Sequence, residues 1–316
     1  MTQVLVFFDR VEAELTRAQA ELLTHADALG DTVVVTGSLP ETGTAPLAVQ
    51  GVTGVLTGSD HRSAPICPPD PALAELVAAA AGELEPDLII GPDTPDTVDT
   101  LARAAVLLEA GLITAATGVS GSGAATKSVL GDSWHTTAQI SEDGPLIATL
   151  RPNTVTPAMV AAAEPEVVEL EVAASSAVEI LEESELPSTG RPSLTEAATV
   201  VAFGRGVDGD LSLVEALADE LGAALGASRV ATDAGWIDHS AQVGQTGVRV
   251  SPKLYISVGI SGAVQQKAGM QTSGSIVAIN KDEDAPVFEI ADFGVVGDLR
   301  EVLPQMIEEI RRRRAQ

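Results

Sequence analysis

Short runs of β-branched and apolar residues recur along the chain, separated by stretches whose apolar positions return every three to four residues. Val4–Phe8 reads as a buried strand, Glu12–Leu29 as an amphipathic helix, and Thr32–Val35 and Val52–Leu56 as further strands. Ala72–Gly82 is Ala-rich and helical. Asp87–Ile90 is another buried run that ends in GPDTPDT, Val98–Ala110 continues as a helix, and Leu112–Thr114 opens the next strand. This βαβα rhythm predicts an α/β fold with a mostly parallel sheet and helices on both faces. From Ala124 to Arg151 the pattern changes to short alternating runs, TKSVL, HTTAQI and LIATL, which suit antiparallel edge strands. Val167–Val172 is one more strand.

Ala173–Arg191, rich in Ser, Glu and Pro, reads as a hinge or linker. It divides the chain into two domains, 1–192 and 193–316. The second opens with the buried run Ala198–Phe203 and the turn GRGVDGD. Leu211–Gly226 reads as a helix stopped by glycine, and Arg229–Ala231 as a short strand leading into the polar loop DAGWIDHSAQVGQTG. Leu254–Gly269 is a strand followed by a helix, then come the strand Ser275–Ile279, the run Val287–Ile290 and a terminal helix, Leu299–Arg314. The two halves share no internal repeat.

The most informative stretch is Leu254–Asn280. Leu254, Ile256, Val258 and Ile260 alternate with Tyr255, Ser257 and Gly259, and Ser261-Gly262-Ala263 follow where a parallel strand hands over to a helix. Backbone N–H groups at such a turn lack intrahelical partners, which makes it a natural site for an anion such as a cofactor phosphate. Four more segments share this small, polar, Gly-rich character: Gly204-Arg205-Gly206, Ser228-Arg229, Val243-Gly244-Gln245-Thr246-Gly247, and Asn280 with the later Asp298. Glycines admit close backbone approach, and the arginines supply countercharge. Together they describe a site for a long dinucleotide laid across strand ends. Taken singly, each has a plainer reading: Arg229 as a surface arginine, Gln245-Thr246 as a turn, Asn280 and Asp298 as caps.

Composition narrows the class. Asp and Glu number 45 against 18 Lys and Arg, a formal net charge of −27, and only four of the basic residues are lysines. With 45% hydrophobic residues this is not a disordered composition. It reads as a salt-adapted surface whose self-repulsion is screened at molar salt, and it argues against nucleic acid as a partner. The single cysteine, Cys67, excludes an intrachain disulfide. His25, His61, His135 and His239 have no metal-ligand spacing. The N-terminus runs directly into a strand and no apolar run approaches a membrane span, so a cytoplasmic protein without membrane insertion is expected.

The order GRG, ASR with DAG after it, QVGQTG, LYISVGISGAVQ, VAIN and FGVVGDL resembles the FAD-binding domain of electron transfer flavoprotein alpha subunits, here of an acidic, haloarchaeal type. The resemblance covers nearly all of 198–316. It extends more weakly to the GPDTPDT and LRPN segments of the first half. It implies a C-terminal doubly wound FAD-binding domain, a heterodimer with a beta subunit, and single-electron shuttling from dehydrogenases, such as acyl-CoA dehydrogenases of fatty acid oxidation, to a quinone reductase. It also implies roles. Ser261, Gly262, Ala263, Val264 and Gln265 would lie along the pyrophosphate region. Arg229 would stand over the isoalloxazine ring, and Val243, Gly244, Gln245 and Thr246 would line it, Thr246 near N5. Asn280, Asp298 and Leu299 would hold the adenosine end, and Arg205 and Ser228 would complete the cradle. Family members usually carry Gln-His where this chain has Gln265-Gln266, so Gln266 would donate to the ring without ever carrying charge.

Such a protein is an electron carrier rather than a stand-alone enzyme, with the flavin doing the chemistry. Three alternatives stay open at this level: a bifurcating-type member, an NAD-binding enzyme, and a non-redox adenine-nucleotide module built on the first domain. Lys267 and Lys281 are the only lysines near the site, and neither sits in an evident catalytic pair.

Overall fold

A computed structural model describes residues 2–58, 71–130, 134–140, 144–172 and 190–315. Cys67, His61 and all but the end of the expected linker lie outside the described residues. The chain forms two compact units, the first mainly Met1–Val129 and Ser133–Glu185, the second mainly Leu186–Gln316.

The first unit runs β1 (Thr2–Phe8), α1 (Arg17–Asp27), β2 (Gly30–Thr36), β3 (Val52–Gly58), α2 (Pro71–Leu84), β4 (Leu88–Pro92), α3 (Pro95–Leu107), β5 (Leu112–Val119), β6 (Ala124–Val129), β7 (Trp134–Gln139), β8 (Leu146–Leu150) and β9 (Glu166–Leu170). Its nine strands lie in the order β7-β6-β5-β8-β4-β1-β2-β3-β9, and only β5–β6 and β6–β7 pair antiparallel. Alternation along β1 sets the layers. Val4, Val6 and Phe8 pack with Leu22, Leu23 and Ala26 of α1, whereas Leu5 and Phe7 pack with Leu73, Leu76 and Leu101 of α2 and α3. Helices thus cover both faces, as the sequence predicts.

The second unit runs β10 (Thr199–Phe203), α4 (Ser212–Leu221), β11 (Ala224–Ala227), α5 (Arg229–Asp233), β12 (Leu254–Val258), α6 (Val264–Lys267), β13 (Ser275–Asn280), β14 (Phe293–Val296) and α7 (Leu299–Arg314). All five strands are parallel, in the order β11-β10-β12-β13-β14. α4 and α7 bury Val214, Leu217, Leu303 and Ile307 on one face. Loop residues Val243, Val250, Ile260 and Met270 cover the other, over Val200, Ala202 and Tyr255.

Five sequence expectations are corrected. LIATL is not an edge but β8, fully buried and parallel between β4 and β5; its nearly continuous apolar run, broken only by Thr149, belongs to a strand covered on both faces. The helix expected over Leu211–Gly226 ends at Leu221, because Gly222 turns left-handed (φ +59°) and stops it. The residues beyond form β11, where small side chains suit an edge strand under a covering loop. Arg229–Ala231 is helical, as α5. Val287–Ile290 is not a strand, since Pro286 opens a short 3-10 turn there; β14 follows it. Finally, α1 starts at Arg17 rather than Glu12 because Thr16 and Gln19 form a capping box.

Candidate functional site

In the second unit β11 and β12 lie on opposite sides of β10, so strand order reverses there and a crevice opens beyond the carboxyl ends of β10 and β12. That is where ligands bind in open parallel sheets. Every segment expected to form the site stands at such an end. Arg205 follows β10, Ser228 and Arg229 follow β11, Ser261 and Gly262 follow β12, Asn280 ends β13, and Asp298 and Leu299 follow β14.

The floor of the crevice is a crossing of two glycine-rich turns. Gly204 N–H donates to Val258 O at 3.0 Å and Gly206 N–H to Gly259 O at 3.2 Å. A Cβ on Gly206 would lie 2.9 Å from Gly259 Cα, and Gly259 itself is left-handed (φ +61°). No side chain larger than hydrogen fits between the turns, which leaves backbone facing the crevice. Gly262, also left-handed at φ +85°, presses against Val287. Among the described residues, the backbone N–H groups of Ser261, Gly262 and Ala263 donate to no protein acceptor. Free donors on a small-residue turn whose Ser261 and Ala263 are exposed suit phosphate oxygens. The helix behind them is a single turn, α6, shorter than the one expected from sequence, so individual N–H groups supply the attraction rather than a long helix dipole.

The loop bearing Gln245 and Thr246 is fastened over α6. Gln245 N–H donates to Gln265 O at 2.7 Å, and Gly244 and Gly269 touch through their backbones. The sequence segments QVGQTG and AVQQKAG therefore form one wall. Gln245, Thr246, Val264 and Gln265 are exposed on it. Gln266 is buried, and its Nε2 donates to Tyr255 Oη at 2.9 Å. Burial pushes the Tyr255 phenol well above its ordinary value, so it stays protonated.

Arg229 is exposed and pairs with Asp233 at 3.3 Å, a solvated contact of small energetic weight. Among the described residues Arg205 has no ion-pair partner, leaving its guanidinium available. Asn280 and Asp298 carry structural duties as well. Asn280 Nδ2 donates to Ile260 O at 2.9 Å, and Asp298 caps α7 by accepting from Arg300 N–H at 2.8 Å.

The residues fit a flavin dinucleotide. Two buried polar atoms of these segments, Ser228 Oγ and Gln266 Oε1, have no hydrogen-bond partner in the protein, the crossing of glycines leaves a cradle that a Cβ would fill, and the free N–H groups and Arg205 match a pyrophosphate. Among the described residues no cluster of three or more His, Cys, Asp and Glu could hold a metal ion. The sequence reading overlooked Gln242, Thr232 and Tyr255, which sit beneath the wall. The one available signal was a lone Tyr and a Gln at positions whose neighbours are apolar.

The first unit has its own switch point, between β1 and β4, and it is acidic. Asp9 follows β1, Asp93 follows β4 and Asp96 opens α3. Burial first, and the Asp96 charge further down, raise the Asp9 carboxyl above its ordinary value. Arg10 stands beside Asp9 and pairs with Glu12 at 3.6 Å, so carboxylates outnumber the cation there.

Fold and site together define a two-unit α/β protein whose second unit is a parallel-sheet domain suited to a dinucleotide. A model of the electron transfer flavoprotein FAD-binding domain matches residues 193–271, and one of the electron transfer flavoprotein domain matches 4–175. Over 99% of its length the chain is 40% identical to the electron transfer flavoprotein subunit alpha of Mycobacterium leprae and 42% identical to that of Mycobacterium tuberculosis, covering 100% of each. The Paracoccus denitrificans subunit is 36% identical over 96% of the chain and 98% of its own length. The chain belongs to the electron transfer flavoprotein alpha-subunit family, and its second unit is an FAD-binding domain. No described helix is long and apolar enough to cross a membrane.

Proposed function

We propose that this chain is the FAD-bearing alpha subunit of a heterodimeric electron transfer flavoprotein. It pairs with a beta subunit and passes single electrons from dehydrogenases, such as acyl-CoA dehydrogenases, to a quinone reductase. Residues 1–192 and 193–316 act as its two functional domains, working in the cytoplasm of a salt-adapted host. The observation that carries the reading is the set of unpaired backbone donors at Ser261, Gly262 and Ala263, just beyond the carboxyl end of β12 at the switch point of a five-stranded parallel sheet.

Within that site Arg205, Ser228 and the Ser261–Gln265 turn hold the pyrophosphate. Arg229 faces the isoalloxazine ring, where a cation stabilises negative charge as it develops. Val243, Gly244, Gln245, Thr246 and Gln266 line the ring, and Asn280, Asp298 and Leu299 keep the adenosine end. When bound, the flavin supplies the one-electron chemistry; the protein supplies position and field. A non-redox adenine-nucleotide role for the first unit is disfavoured by Asp9, Asp93 and Asp96 at its switch point.

The test is the visible spectrum of the chain co-purified with its partner subunit in molar salt, before and during stepwise reduction. Flavin bands that pass through a one-electron form, with FAD released on denaturation, support the reading. A colourless complex that FAD does not reconstitute overturns it.

A further inference from the structure

Beneath the exposed Thr246 a chain of buried side chains ties the loop to α5. Thr232, 2% exposed, reaches Gln242 Oε1 with its Oγ1 at 3.2 Å. Gln242, 8% exposed, donates through Nε2 to Thr246 Oγ1 at 3.1 Å. Thr232 Oγ1 also stands 2.9 Å from the Arg229 carbonyl, so its one proton is shared between two inward acceptors. A hydroxyl has a single proton, and an amide has one donating and one accepting end. Because Gln242 gives an N–H to Thr246, the Thr246 proton is not needed inside the protein and is free to point outward. Were the amide turned over, Thr246 would have to give its proton to Gln242 Oε1 and could offer only lone pairs.

We propose that Gln242 is a positioning residue that holds the Thr246 hydroxyl as a hydrogen-bond donor toward the bound flavin. The inference rests on the site reading that puts Thr246 beside the ring. The nitrogen at that edge of an oxidised isoalloxazine carries a lone pair and no hydrogen, so it calls for a donor. Gln242 supplies the condition for one without touching the ligand. Gln242 is buried, so water does not take the place of its amide beneath Thr246.

Gln242→Met keeps length and charge while removing both amide bonds. Measured in the full chain with its partner subunit, the oxidised FAD dissociation constant rises about fivefold, the loss of one ordinary hydrogen bond, and the visible flavin band shifts in the same sense as in Thr246→Val. In a Thr246→Val background the Gln242→Met change adds nothing further, because no hydroxyl remains to orient. Thr246→Ser, which keeps the hydroxyl, recovers most of the affinity that Thr246→Val loses. Thr232→Val approaches from the far end of the chain and gives a smaller shift of the same sign, which keeps the test open should Gln242→Met fold poorly. Folded variants of both Gln242 and Thr232 with wild-type affinity and spectrum overturn the proposal. So does a Gln242→Met loss that multiplies with that of Thr246→Val, which marks a structural role only. If the wild-type complex binds no FAD, the site reading itself fails and this inference falls with it; wild-type binding with silent variants sinks this inference alone.

Discussion

Gly269 and Gly244 meet through their backbones: a Cβ added at Gly269 would lie 2.4 Å from Gly244 Cα. The contact joins the segment after α6 to the loop carrying Gln245 and Thr246, so the two halves of the cofactor wall share one close approach.

Gly269→Ala therefore lifts that loop off α6. Overpacking of this kind costs about 1–3 kcal/mol, and it displaces side chains on the ring side of the site. FAD titration is expected to show at least tenfold weaker binding, with a lowered unfolding midpoint. Wild-type affinity in a folded Gly269→Ala protein would show that the wall is not held by this contact.

Tyr255→Phe removes the acceptor of the Gln266 amide. With Gln266 Oε1 already unpaired, both ends of a buried amide are then unsatisfied, at a cost of about 1–3 kcal/mol. Chemical denaturation of the apo and FAD-bound forms measures it. An unchanged midpoint would mean that the amide finds another partner.

Gln266→His restores the residue that family members usually carry. A histidine donates as the amide does and can also carry charge, so the flavin potential is expected to rise. A potential unchanged or lowered at the same salt counts against a role for this position at the ring.

Much of the architecture was legible in the residues. The apolar runs of β1, β12 and β13 and the capped, periodic helices α3 and α7 identify themselves, because their patterns agree with their environments. Where propensity and context part, the sequence misleads. Ala224–Ala227 looks like the tail of a helix until Gly222 stops α4, and LIATL looks like an edge until its neighbours in the sheet are known. The glycines that force the close approaches of the candidate site, Gly206 and Gly259 among them, lie in loops the sequence marks as Gly-rich. Gln242 and Thr232 stand out less, since the apolar neighbours of Gln242 are the sole local sign that its amide is buried. The capping duty of Asp298 and the loop bond of Asn280 match the plainer readings the sequence allowed.

Asp9 gives the pH dependence. Its folded carboxyl value is raised above the unfolded one, chiefly by burial, so the folded state binds its proton more tightly. The stability this provides is present below the unfolded value and is lost as pH rises through the folded value. At neutral pH Asp9→Asn is therefore expected to raise the unfolding midpoint, and the gain should vanish in acid. An equal gain at both ends of the range would point to a cause other than ionisation.

The net charge of −27 sets the salt dependence. Screening length falls from about 10 Å at 0.1 M to about 3 Å at 1 M salt. The unfolding midpoint should climb across that range, since self-repulsion weakens more than the few solvated ion pairs such as Arg103–Asp99. A falling midpoint would contradict the salt-adapted reading.

One face of the second sheet is covered by α4 and α7, the other by loops around a single-turn α6. In the proposed site the dinucleotide lies against that thin layer, so the ligand would complete a wall the polypeptide leaves sparse. Cofactor supply then becomes a term in folding: free FAD at a hundred times its dissociation constant adds about 2.7 kcal/mol. In a cell short of flavin, the loops on either side of β12, residues 242–253 and 259–271, are expected to open to proteases first, which would make the lifetime of the chain a gauge of how much FAD is at hand.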